Sequence, residues 1–131
     1  MSSLCLGLAF SLALARVPAQ QFTLAWTHSV EKVVWEEDYQ IDDDRLLLTE
    51  ARVRGSGAGM EPPSGAQLIN GVWHYRPSLS PLPKLTLTRS HYAGDYQLCW
   101  MADCQNLTKL LGPPFAEGEV VDLFPCSRLI G

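Results

Sequence analysis

Residues 22–28, FTLAWTH, and residues 32–41, KVVWEEDYQI, contain the pattern that decides the fold of this chain. In both stretches every second side chain falls on one side of an extended backbone, and that side is rich in large apolar and aromatic groups. It carries Phe22, Leu24, Trp26 and His28 in the first stretch and Val33, Trp35, Glu37 and Tyr39 in the second. The two stretches therefore predict consecutive β-strands, each with one buried face.

Turn-forming residues interrupt the chain often enough to predict a fold made of short strands. Ten glycines and nine prolines separate the alternating stretches, and Asn70-Gly71 between two of them is the strongest short-range hairpin signal. About eight strands follow from this pattern, together with one helical turn at 106–111. We expect an all-β fold, a single-domain β-sandwich or a partly closed barrel of short antiparallel strands.

The composition describes one globular domain and excludes several functions. The chain has 131 residues, of which 47% are hydrophobic and 18% charged, and its formal net charge is −4. An acidic domain lacks the basic face that nucleic acid requires, so we expect no nucleic-acid partner. The sequence has no phosphate-binding loop or nucleophile elbow, and the acidic runs 36–38 and 42–44 lack EF-hand spacing. We therefore predict a non-enzymatic protein with no metal and no cofactor.

An apolar stretch of 12 residues, LCLGLAFSLALA at 4–15, opens the chain. It is shorter than the roughly 20 residues that span a bilayer. It is typical of the hydrophobic region of a secretory signal, and small residues suited to cleavage follow it at 13–15 and 17–19. We predict a signal peptide or short N-terminal anchor at 1–19 and a single β domain at 20–131. The alternative is a buried first strand or helix.

Removal of residues 1–19 would leave three cysteines, Cys99, Cys104 and Cys126. An exported domain folds in an oxidising compartment, where two cysteines are expected to pair. Cys99 lies within a strand pattern, whereas Cys104 and Cys126 flank the segment that follows it. This placement favours a Cys104–Cys126 disulfide, with Cys99–Cys104 as the alternative. The predicted export signal indicates the periplasm as the compartment.

Four residues near the turn between the first two predicted strands are candidate ligand or partner contacts, namely His28, Ser29, Glu31 and Glu37. A carboxylate on an aromatic face is costly unless a polar group satisfies it. A tight hairpin would bring His28 to the side of the sheet that carries Glu37. We expect a hydrogen bond between them, which is either the centre of a binding site or a structural polar pair.

The segment GSGAGME at 55–61 is a second candidate site. Its glycines free the backbone, so no regular element is expected there. Gly57, Gly59 and Met60 are predicted to contact a ligand or partner, because backbone amides can surround an anion and methionine adapts to apolar surfaces. The alternative is a bulged crossing between sheets where side chains do not fit.

Several short motifs together resemble a known family. They are HSVEK at 28–32, WEE at 35–37, GAGMEPP at 57–63, GVW at 71–73, and Leu98-Cys99 followed by Cys104. The family is a small bacterial domain of unknown function, typically encoded beside TRAP transporters of the TAXI class, and the resemblance runs from about residue 22 to residue 126. It implies an exported accessory domain that contacts the transporter's permease or its solute-binding protein, with the N-terminal segment able to attach it to the membrane. It implies no catalytic residue.

Two functional hypotheses follow from these observations. The first is a non-enzymatic periplasmic accessory domain of a TRAP-type uptake system. The second is a small-molecule binding module whose site is lined by His28, Glu37 and the glycine-rich segment.

Overall fold

The computed structural model describes residues 2–8, 10–27, 33–54, 65–77, 79–90, 94–114 and 116–130. Within these ranges the chain forms eleven strands, one short helix, α1 (Leu107–Leu111), and a 3-10 turn at Cys126–Arg128. The strands are β1 (Leu4–Leu8), β2 (Leu12–Val17), β3 (Gln21–Thr27), β4 (Val34–Asp42), β5 (Arg45–Arg54), β6 (Gln67–Ile69), β7 (Val72–Tyr75), β8 (Leu85–Arg89), β9 (Gln97–Trp100), β10 (Asp103–Asn106) and β11 (Glu119–Pro125). The eight strands expected from the sequence are β3 to β9 and β11, and the expected helical turn is α1.

Two antiparallel sheets make up the fold. The smaller sheet has the strand order β2-β1-β11-β8, and the larger has the order β10-β9-β3-β4-β5-β7-β6. The consecutive strands β3, β4 and β5 are neighbours, as expected for alternating stretches joined by short connections. The two sheets confirm the all-β, sandwich-like prediction, and the described strands do not close into a barrel.

The hydrophobic core lies between the two sheets. The smaller sheet contributes Leu4, Leu6 and Leu123, which have no exposed surface, and the larger contributes Leu24 and Leu98. Full burial of one such side chain is worth roughly 1.5–3 kcal/mol. Contact between the apolar faces is therefore what holds the sheets together, and the first strand supplies two of the central side chains.

The apolar N-terminal stretch is part of this core. Strand β1 pairs with β2 on one side and with β11 on the other, and Leu4, Cys5 and Leu6 are completely buried. A strand covered on both faces is apolar at every position, so its composition resembles that of a signal peptide. In the full chain this stretch is a buried first strand, which was the alternative interpretation of its composition, and the boundary after residue 19 stays a prediction, as does cleavage of the segment.

The disulfides differ from the predicted pairing. The structure contains Cys5–Cys126 and Cys99–Cys104, so the Cys104–Cys126 prediction is wrong and its alternative, Cys99–Cys104, is confirmed. Cys99 and Cys104 are direct partners across β9 and β10. Cys5 faces the end of β11, just before Cys126. The predicted pairing failed because it assumed that Cys5 is removed with a signal.

These two disulfides indicate an oxidising, extracytoplasmic compartment, because cytosolic thiols are kept reduced. Among the described residues, no helix has the length and apolar character needed to cross a membrane.

Candidate functional site

Glu37 lies on the inner face of the seven-stranded sheet, in the middle of β4. Leu24 of β3 and Ala51 of β5 are its direct partners in register, and Tyr75 of β7 lies beyond Ala51. Opposed residues of antiparallel strands point to the same side, so these four side chains share one face. Burial, and after it the charge of Glu37, raises the pKa of Tyr75. The small Ala51 side chain therefore leaves the carboxyl group and the Tyr75 phenol within electrostatic reach of each other.

A neighbour on the same strand holds the carboxyl group of Glu37. The Tyr39 hydroxyl donates a hydrogen bond of 2.9 Å to Glu37 Oε1, which confirms that the two side chains share a face, as the alternation predicts. Burial raises the pKa of Glu37, and this hydrogen bond opposes the rise only in part. Burial and the Glu37 charge raise the pKa of Tyr39, so its phenol stays protonated and remains a donor. Among the described residues, Tyr39 is the one hydrogen-bonding partner of Glu37.

Aromatic side chains border Glu37 towards one end of the sheet. A row of paired residues crosses β3, β4, β5 and β7, and it consists of Trp26, Trp35, Val53 and Trp73. The rings of Trp26 and Trp35 stack with their centroids 6.3 Å apart. The tryptophans are half-buried, so part of each ring meets solvent. Five half-buried side chains of this face are called the Glu37 patch here, and they are Trp26, Trp35, Glu37, Trp73 and Tyr75.

The outer face of the same strands carries a separate network of charges. The Arg52 guanidinium donates to both carboxylate oxygens of Asp38 at 2.7 Å and to Glu50 at 2.6 Å. These bonds raise the pKa of Arg52, and the bond from Arg52 is the largest cause that lowers the pKa of Asp38. Arg54 donates to Glu36 at 2.5 Å. Both arginines are therefore paired with acids on the outer face, away from Glu37.

Sequence reasoning missed a histidine–carboxylate pair in this outer network. His74 Nδ1 lies 3.3 Å from Glu50 Oε1, beside a groove of about 410 Å³ that Gln67 and Arg76 also line. The two residues are 24 positions apart, and only the pairing of β5 with β7 brings them together. The Asn70-Gly71 hairpin signal predicts β6 and β7 but not the strand that β7 joins.

Most of the residues predicted as site members lie outside the described part of the chain. They are His28, Ser29, Glu31, Gly57, Gly59 and Met60. The described ends on either side of these segments are close together, because Val34 pairs with Thr27 and with Arg54, and Arg54 pairs with Val72. The predicted contact between His28 and Glu37 stays a prediction, and Glu37 is the one predicted contact whose surroundings the structure describes.

The chemistry that the Glu37 patch can support is recognition combined with proton exchange. A carboxyl group whose pKa is raised by burial can accept hydrogen bonds or exchange a proton. Aromatic faces attract cations through their negative ring centres. In the part of the chain that the structure describes, no group of three or more His, Cys, Asp or Glu side chains is placed to hold a metal ion.

The family model for a domain of unknown function, DUF1850, matches residues 22–107. The match covers more than half of the chain, so the chain belongs to the DUF1850 family. It runs from the second residue of β3 to just past the end of β10 and includes every residue of the Glu37 patch. No curated protein and no solved structure matches this sequence.

Proposed function

We propose that this DUF1850 chain is a non-enzymatic accessory domain of a TRAP-type solute uptake transporter of the TAXI class, acting in the periplasm. The observation that carries the proposal is the pair of disulfides, because they suit a protein that folds outside the cytosol. The resemblance of the HSVEK and GAGMEPP motifs to domains encoded beside TAXI transporters supports the choice of transporter.

The surface that we propose for the transporter contact is a row of leucines on the β1–β2 hairpin. Leu8, Leu12 and Leu14 are 49%, 47% and 54% exposed, and Leu8 opposes Leu12 in register. Strand β2 is also an edge of its sheet. Exposed apolar side chains on an edge strand are a typical association surface. We assign this leucine row to the permease, whose membrane-embedded part offers a matching apolar boundary.

Co-purification from membranes tests the accessory function. The tagged full chain is expected to retain the permease or the solute-binding protein, and deletion of its gene is expected to reduce solute uptake. The double variant Leu12→Ser with Leu14→Ser should lose the permease. Leu68→Ser is the matched control, since Leu68 is 57% exposed on β6 of the other sheet. Normal uptake without the protein, together with no retained transporter component, would contradict the proposal.

The second candidate function is a small-molecule binding module, and the observation that favours it is the half-buried Glu37 on an aromatic face. Burial of a carboxyl group costs free energy that hydrogen bonds offset only in part, and groups with pKa values perturbed in this way cluster at functional sites. Native mass spectrometry of the purified chain with the solutes of the uptake system tests this function. A bound solute that is lost in Glu37→Gln supports it, and the absence of any bound solute contradicts it.

A further inference from the structure

The Glu37 patch combines one acidic group with several aromatic rings, all of them partly exposed to solvent. Along β4, Trp35 and Tyr39 lie on either side of Glu37. Across the sheet, Tyr75 of β7 lies beyond Ala51 on the same face. Trp35, Glu37 and Tyr75 are all half-buried, so a ligand group can reach them. A site of this composition selects its ligand by charge and by the ability to lie against a ring.

No described basic side chain faces the carboxyl group. The neighbours of Glu37 on β3 and β5 are Leu24 and Ala51, and the titratable groups that face it among the described residues are the phenols of Tyr39 and Tyr75. Arginine side chains of β5 alternate onto the outer face, where they bind acids. Among the described residues, the carboxyl group of Glu37 therefore has one hydrogen-bond donor, the neutral phenol of Tyr39.

We propose that the Glu37 patch binds the ammonium or guanidinium group of an organic cation, with Glu37 as the counter-ion and the neighbouring aromatic rings as the walls. This inference rests on the second candidate function and names its ligand class. A carboxylate bordered by aromatic faces is the composition that recognises organic cations, because both attract positive charge. An anionic solute would be repelled by the same carboxylate.

The proposal has a consequence for pH. Glu37 must be ionised to act as the counter-ion, and a bound cation lowers its pKa relative to the free protein. Cation binding therefore releases protons near the pKa of the free protein, which burial raises above 4.5. Affinity is expected to fall as the pH is lowered through this range and to level off above it. In Glu37→Gln this pH dependence is expected to disappear.

The test uses the full chain and pairs of probes that differ in charge alone. Arginine is compared with its neutral analogue citrulline, and choline with its uncharged carbon isostere dimethylbutanol. Binding is followed by calorimetry and by tryptophan fluorescence, since Trp35 borders the site. We expect at least one of the two cations to bind and to bind at least about tenfold more tightly than its neutral analogue.

Two variants separate the role of the charge from effects on folding. Glu37→Gln keeps an oxygen that can accept the Tyr39 hydrogen bond, and its affinity for the cation should fall at least about tenfold. Asp42→Asn is the matched control, because it removes an exposed carboxylate from the end of the same strand, and it should bind as the wild type does.

The outcomes distinguish this inference from the function on which it rests. Equal affinity for a cation and its neutral analogue, or unchanged cation affinity in a folded Glu37→Gln protein, overturns the cation assignment. If a neutral or anionic solute of the uptake system still binds in a manner that depends on Glu37, the binding function stands and only the ligand class is wrong. If no solute of any charge binds, both are overturned.

Discussion

Replacement of Leu6 by alanine tests whether the N-terminal stretch belongs to the folded domain. Leu6 has no exposed surface and opposes Leu123 on one side and Ala15 on the other. Loss of a buried leucine side chain costs the transfer free energy of the removed atoms and the free energy of the cavity left behind. Such changes cost about 2–5 kcal/mol. We expect about 3 kcal/mol here, because strands on both sides of β1 hold the cavity open.

The assay is denaturant unfolding of the oxidised full chain, followed by the fluorescence of its four tryptophans. Leu14→Ala is the control, since Leu14 is 54% exposed on the next strand, and its free energy of unfolding should stay within about 0.5 kcal/mol of the wild type. The signal-peptide prediction gives a different result, because a removed segment cannot contribute to the stability of the mature protein. An unchanged unfolding curve for Leu6→Ala, with a mature N-terminus near residue 20, would refute the core assignment of β1.

Three further predictions follow from the contacts described above. Loss of the Cys5–Cys126 disulfide, whose cysteines are 121 positions apart, should lower the free energy of unfolding by about 5 kcal/mol. Loss of Cys99–Cys104, whose cysteines are 5 positions apart, should lower it by about 2 kcal/mol. Non-reducing peptide mapping should find these two links, and a Cys104–Cys126 peptide would contradict them. Arg52→Ala should lower the free energy of unfolding by about 2 kcal/mol, because the Arg52 side chain is 14% exposed and binds Asp38 and Glu50. Arg54→Ala should lower it by less than about 1 kcal/mol, because the Arg54 side chain is 51% exposed. Equal losses would show that the outer network does not depend on Arg52. Glu37→Gln should be more stable than the wild type at neutral pH, and this gain should vanish as the pH falls below 4.5. The reason is that burial raises the pKa of Glu37, so its ionisation in the folded state lowers stability. A gain that is the same in unfolding curves from acid to neutral pH would contradict the raised pKa.

The strands that the sequence predicts are those whose signal is local. Alternation over residues 22–28 and 32–41 defines β3 and β4, and it also places Glu37 and Tyr39 on one face, where they form a hydrogen bond. Strand β10 was missed because the turn before it has none of the usual residues. Met101 and Ala102 both adopt positive φ there, although glycine, asparagine or aspartate is the common choice.

Features that depend on strand pairing could not be predicted in this way. The contact between His74 and Glu50 requires that β7 joins the edge of β5 in one register, and alternation within a strand carries no information about its partner. The same limit applies to β1, because burial on both faces removes the alternation that would identify a strand. Its apolar run is compatible with a signal, a helix or a central strand until its partners β2 and β11 are known.

Strand geometry divides the acidic run Glu36-Glu37-Asp38 between the two faces of the sheet. Successive side chains of a strand point to opposite faces, so Glu36 and Asp38 lie on the outer face, where Arg52 and Arg54 bind them. Glu37 alone points inward, where burial raises its pKa and its described hydrogen-bond donor is neutral. Glutamine could accept the same hydrogen bond from Tyr39 without the cost of a buried charge. The charge at this position therefore weakens the fold rather than strengthening it, and a cost of this kind is typical of a residue that serves a ligand.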